Sequence, residues 1–157
     1  MTQKLQTCLW FNRNAEQAVN FYLSVFGGRE IDRLYYNSAG PGPDGSVLSI
    51  TFELCGQQLI ALNGGTEAPF NHSISLLVNC DSQTEIDQLW EKLLVNGGRT
   101  LQCGWVQDQF GVCWQIVPAM LDKMLQDKLG APAIMSALLT MNKLDISQLE
   151  QAYQRGN

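Results

Sequence analysis

The chain has 157 residues, 45% apolar and 16% charged, with a net charge of −5 and five cysteines. That length suits one domain, or two small modules sharing a core. Its ten Lys and Arg residues form no cluster, which argues against nucleic acid or an anionic membrane as partner; no apolar run nears the roughly 18 residues of a membrane span.

Leu5 to Phe11 reads as a strand. Asn12 or Asn14 can cap the helix that follows, whose apolar positions are Ala18, Phe21, Tyr22, Val25 and Phe26. Gly27-Gly28 stops it, and Arg29 to Tyr36 returns as a strand. The Gly- and Pro-rich run from Asn37 to Gly45 is a loop. Val47 to Leu54 and Gln58 to Leu62 are strands turned at Gly56.

The same order then recurs. Ser73 to Cys80 reads as a strand, Asp81 or Ser82 caps a helix from Thr84 to Val95, and Gly97-Gly98 ends it. Shorter strands follow around Thr100, Trp105 and Val112 to Val117. Both copies run apolar strand, polar link, amphipathic helix, Gly-Gly-Arg. Beyond Pro118 the pattern turns helical. Met120, Met124, Leu125 and Leu129 share one face, Pro132 can start a helix through Met141, and Asp145 with Gln148 resembles a capping box for a last helix to Tyr153. Four of the five methionines lie in this tail; it packs on its own domain or serves as a dimer contact.

The start, Met1 to Leu5, lacks the apolar stretch of a signal peptide. The cysteines (Cys8, Cys55, Cys80, Cys103, Cys113) are odd in number and form no C-x-x-C. Reduced thiols in the cytoplasm are expected, with neither a disulfide framework nor a structural zinc site.

Several segments together resemble a known family: Leu9 to Glu16 with Phe21-Tyr22, Gly40 to Pro43 with Gly45, Ala61 to Gly65, Cys103-Gly-Trp105 with Asp108 and Phe110 to Val112, and Trp114 to Pro118. They are similar to the vicinal oxygen chelate superfamily (glyoxalase I, extradiol dioxygenases, antibiotic-resistance proteins), and within it to the PhnB-like branch. The resemblance implies an α+β fold: two βαβββ modules forming a cupped mixed sheet with helices outside, plus a C-terminal helical tail. Residues 1–157 would then be a single domain, with module one at 5–65, module two at 70–118 and the tail at 119–157.

In that superfamily a divalent metal sits in the cup, held from the first and last strand of each module by His, Glu or Gln. The resemblance puts Thr7, Ala61 or Asn63, Ser73 or Ser75, and Gln115 at those places. Neutral hydroxyls and amides bind a divalent ion poorly, so the metal site is expected to be degenerate and no cofactor is expected. Strand alternation then joins Phe11 to the face of Thr7 and leaves Trp10 in the core. Trp114 faces the helix layer, opposite Gln115. With Trp105, the expected ligand-binding set is Thr7, Phe11, Asn63, Ser75, Trp105 and Gln115.

His72, the only histidine, falls one residue before an expected ligand position and reads as a solvent-exposed side chain, a base, or a metal ligand if the strand starts later. Cys103 reads as an inert thiol, Asp108 as a turn-former, and Glu53 as either a cavity acid or a solvated strand residue. The resulting function is a cytoplasmic small-molecule-binding protein, expected to be a homodimer, for a small neutral or apolar ligand. A metal-dependent lyase, isomerase or dioxygenase is the alternative. The ubiquinone-pathway methyltransferase label often attached to the branch is a third reading, although no glycine-rich nucleotide-binding turn is present.

Overall fold

Two βαβ-type beginnings, each followed by a meander, organise the chain. The computed structural model describes residues 4–156 and divides into two units, one ending at Pro69 and one beginning at Phe70. Among the described residues no helix is long and apolar enough to cross a membrane.

The first unit runs β1 (Thr7–Phe11), α1 (Ala15–Phe26), β2 (Arg29–Tyr35), β3 (Val47–Leu54) and β4 (Gln57–Asn63). Its mixed sheet has the order β1-β4-β3-β2, with β1 parallel to β4 and the other pairs antiparallel. Parallel pairing forces a crossover between β1 and β4, and the helix supplies it. Gly27 breaks α1 at φ 75°, a left-handed conformation that a side chain would strain. Helix α1 buries Ala15, Ala18, Val19, Tyr22 and Val25. The Tyr22 ring stacks on Phe52 of β3, centroids 6.3 Å apart. That contact fixes which face of the sheet meets the helix. Ile50, Phe52, Leu59 and Ala61 line it, and so do Leu9 and Phe11, all buried.

The second unit repeats the plan with β5 (Leu76–Cys80), α2 (Gln83–Leu93), a 3-10 turn (Val95–Gly97), β6 (Arg99–Thr100), β7 (Trp105–Gln107) and β8 (Cys113–Pro118). The order is β5-β8-β7-β6, again with the first strand parallel to the last. Ser82 caps α2, its hydroxyl accepting from the Glu85 N–H at 3.2 Å. The Glu85 carboxylate reaches back to the Asp81 N–H at 2.8 Å. The expected strand from Ser73 begins three residues later: the Asn71 side chain accepts from the Ser73 N–H at 2.8 Å and holds this stretch in a turn.

Three helices complete this unit: α3 (Leu121–Gln126), α4 (Ala131–Leu138) and α5 (Ile146–Gly156). The Asp145 carboxylate accepts from the Gln148 N–H at 3.0 Å, the cap expected there. Val117, Leu121, Met124, Ile134, Leu138, Met141, Leu144, Leu149 and Ala152 form one buried cluster. The tail is therefore packed on its own unit. Cys103 N–H donates to the Met141 carbonyl and Gly104 N–H to that of Asn142. Gln83 both donates to the Leu144 carbonyl and accepts from the Ile146 N–H. Leu129 falls beyond α3 and is exposed, so it does not share the buried face of Met124.

Candidate functional site

The expected set divides between the two units, and the structure reverses part of it. On β1 the expectation had Phe11 facing a ligand and Trp10 in the core. Phe11 is instead 2% exposed, enclosed against α1, while Trp10 is 39% exposed on the opposite face. Thr7 lies opposite Leu59, also on the helix side. A strand whose two faces are both apolar carries no polarity to set its orientation, and a one-residue shift exchanges every side chain.

Asn63 ends β4 on that same helix side. Its Oδ1 accepts from the Ala15 N–H at 2.9 Å and its Nδ2 donates to the Val47 carbonyl at 3.0 Å. The first turn of a helix has N–H groups without intrahelical partners, and the Asn14 side chain, at the N-cap position, does not cap them. Asn63 therefore does a capping job from a distant strand, with both ends of its amide engaged.

The other face of this sheet carries Trp10 and Leu62, which are register partners. A hollow of about 350 Å³ opens there, lined by Trp10, Tyr35, Tyr36, Leu48 and Leu62 among others. Gly64 makes room for the tryptophan, since a Cβ on Gly64 would come within 1.9 Å of the indole. The indole N–H donates to the Thr66 carbonyl at 3.0 Å. Sequence reasoning missed Trp10 and Leu62; the Gly64-Gly65 pair just after β4 was the signal that a large ring lies close by. Glu53 sits across the strand pair from Arg29, 3.8 Å away, as a solvated strand residue.

In the second unit three expected residues do come together. Gln115 and Trp105 are register partners on β8 and β7. Gln115 Nε2 donates to Ser75 Oγ at 2.8 Å. Leu77 faces Gln115 across β5 and β8 and is 52% exposed. The opposite face of β8 holds Trp114 and Ile116, both buried. The Trp114 indole donates to Asp108 Oδ2 at 2.8 Å, and Asp108 Oδ1 accepts from the N–H groups of Phe110 and Val112. Asp108 is thus a buried turn-former. Cys113 is buried beside it, and burial, followed by the Asp108 charge, pushes its thiol up. His72 is exposed in the turn before β5. Cys103 is half-buried at φ 59°, its thiol 3.5 Å from the Leu138 carbonyl.

Residues 3–117 match the family model described as 3-demethylubiquinone-9 3-methyltransferase. The chain belongs to this family. A Bacillus cereus structure described as a putative 3-demethylubiquinone-9 3-methyltransferase, PhnB protein, is 34% identical over 74% of this chain and 100% of its own, with a TM-score of 0.65. A Pseudomonas aeruginosa protein is 21% identical over 74% and 98% of the two chains, TM-score 0.61. The fosfomycin resistance protein FosX of Mesorhizobium loti is 14% identical over 81% and 99%, TM-score 0.58. The last two share the fold alone. No curated protein matches the chain.

The resemblance to the vicinal oxygen chelate superfamily implies a divalent metal, and the donor set here does not fit one. Thr7 and Asn63 face the helix, and both amide atoms of Asn63 are engaged. Gln115 and Ser75 offer a neutral amide and a hydroxyl, already bonded to each other. Among the described residues no three His, Cys, Asp or Glu side chains gather. A hard or borderline cation needs carboxylate or imidazole donors that these positions lack.

Proposed function

We propose that this protein binds a small neutral or apolar molecule on its open sheet faces, without a metal. The observation that carries the reading is the neutral pair Gln115–Ser75 beside Trp105 and Leu77. It combines apolar surface with one orienting amide, the usual composition of a ligand site. The Trp10–Leu62 hollow extends the same chemistry to the first unit. An orienting amide without a charged partner favours a neutral ligand, because a buried ion would lack a counter-charge.

We further propose a homodimer in which Met135 and Leu139, one helical turn apart and both about half exposed, contribute apolar contact. Light scattering giving only monomer at micromolar concentration refutes that part.

The test of binding uses the neutral fluorophore 1-aminoanthracene. Its emission should rise on addition of the protein, and Gln115→Ala or Trp10→Ala should each weaken binding severalfold. No saturable signal, or no effect of either substitution, rejects the reading. Elemental analysis discriminates the metal-dependent enzyme: one full equivalent of zinc, nickel, manganese or iron per chain would favour it. Saturable binding of S-adenosylmethionine by calorimetry would instead favour methyl transfer.

A further inference from the structure

A second cleft, about 270 Å³, opens in the first unit between the turn leading into α1 and the 37–46 loop. Arg13, Glu16, Tyr36, Pro41, Pro43 and Val47 line it among others. It meets the helix side of the sheet at Val47 and Asn63, which are bonded to each other, and adjoins the Trp10 hollow through Tyr36.

Its apolar wall is built in advance. The Tyr36 hydroxyl donates to the Asn63 carbonyl at 2.6 Å. Gly40 and Gly42 let the loop close on the ring, for a Cβ on either would come within 2.8 or 2.4 Å of it. Pro41 and Pro43 stiffen the same loop. A flat apolar body therefore meets a rigid aromatic and proline surface, which loses little freedom on binding.

Its polar end is Arg13. This residue holds φ at 64°, a conformation that favours Gly or Asn and strains an ordinary side chain. The chain needs the left-handed turn to pass from β1 to α1, yet an arginine occupies it. Arg13 has no hydrogen-bond or ion-pair partner among the described residues. Glu16, by contrast, is committed to Arg33 at 2.8 Å, and Arg33 also grips Glu30 at 2.8 Å. The guanidinium is the uncommitted charge in the cleft, and its planar fork matches a carboxylate. A phosphate dianion is disfavoured by the neighbouring Glu16 and by the net charge of −5.

We infer that this cleft binds a small molecule bearing one carboxylate on a flat apolar body, with Arg13 holding the carboxylate and Tyr36 and the prolines the body. The cleft shares Tyr36, Pro41 and Gly64 with the Trp10 hollow, but Arg13 lines the cleft and not the hollow, so substitutions at Arg13 separate the two tests.

The probes are benzoate and its neutral isostere benzamide, titrated into 15N-labelled protein by NMR. Benzoate should shift the Arg13 side-chain Nε–H and the Gly42 and Val47 amides saturably. Benzamide should bind about tenfold more weakly or worse. Arg13→Gly and Arg13→Asn both suit the left-handed backbone, so they keep the fold while weakening benzoate about tenfold or more. Binding of 1-aminoanthracene should be unchanged in both variants. Equal affinities for benzoate and benzamide, unchanged benzoate binding in either variant, or shifts that fall elsewhere overturn the inference. So does inorganic phosphate matching benzoate at the same resonances.

Discussion

Replacing Asn63 tests whether this residue is a ligand contact or a piece of the frame. The side chain is 7% exposed and bonded at both ends, to the Ala15 N–H at 2.9 Å and the Val47 carbonyl at 3.0 Å. Asn63→Ala leaves a buried donor and a buried acceptor unpaired. Each such group costs about 1–3 kcal/mol, so the pair gives about 2–6 kcal/mol. Against a total stability of roughly 5–15 kcal/mol for a domain, that loss is easily read. Asn63→Asp keeps an acceptor for Ala15 but sets an oxygen against the Val47 carbonyl, so it should not rescue. Urea melts followed by far-UV circular dichroism give the stability. Hydrogen exchange at the Ala15 amide reports the cap directly, and exchange there should accelerate in Asn63→Ala before the rest of α1 does. If Asn63→Ala melts within about 0.5 kcal/mol of the parent, the size of a neutral surface substitution, and instead weakens ligand binding, the capping account is wrong.

The two faces of β8 predict unequal costs: Trp114→Ala should destabilise by about 3–5 kcal/mol through lost burial, and Gln115→Ala by about 0.5–1.5 kcal/mol through its bond to Ser75. Equal losses in urea melts would show that the strand register is misread. Thiol labelling of the native protein with a disulfide reagent should modify exposed Cys55 readily, Cys8 more slowly because partial burial pushes its thiol up, and Cys80 and Cys113, each 1% exposed, only on unfolding; Cys113 reacting as fast as Cys55 refutes the packing of β8. Lys143 Nζ lies 2.6 Å from Asp87, and its hydrogen bond, aided by Gln83, holds the Asp87 carboxyl below its ordinary range. A carboxyl so depressed stabilises the fold above its unfolded pKa and loses that contribution as pH falls through the folded value. Lys143→Ala should thus cost no more than about 1 kcal/mol at neutral pH, given the exposure of the pair, and its deficit should shrink as pH falls through the depressed Asp87 range; a deficit that is the same in acid as at neutral pH would point to lost packing instead.

Element order, the Gly27 stop, the Ser82 cap and the Asp145 cap were legible because each depends on residues a few positions apart; the second helix instead ends at Leu93, ahead of the 3-10 turn Val95–Gly97, so Gly97-Gly98 does not stop it. Gln115 was legible because one amide interrupts an apolar strand, so alternation assigns its face. β1 offered no such mark. Cys8, Leu9, Trp10 and Phe11 are all compatible with burial, and what orients them is the Tyr22–Phe52 stack and the Asn63–Ala15 bond. Those contacts join residues far apart in sequence, and local pattern does not see them. The tail was ambiguous for the same reason: its methionines would suit any apolar surface, and what settles where it lies is the buried cluster with Val117 and the bonds that Gln83, Cys103 and Gly104 make to residues 141–146.

The parallel pairing of each opening strand with its closing strand imposes an order on synthesis. As the chain leaves the ribosome, β1 emerges first but has no ladder to join until β4 follows, because Thr7 pairs with Leu59 and Phe11 with Asn63. Helix α1 and the β2–β3–β4 meander can form from local contacts in the interval. Through it Leu9 and Phe11 remain uncovered, an apolar edge exposed to other nascent chains. The second unit repeats the delay between β5 and β8 and then waits again for Met141 and Asn142 to reach Cys103 and Gly104. Slowing or truncating translation just before residue 57 or residue 141 should therefore harm recovery of folded protein more than an equal pause just after Asn63 or Asn142.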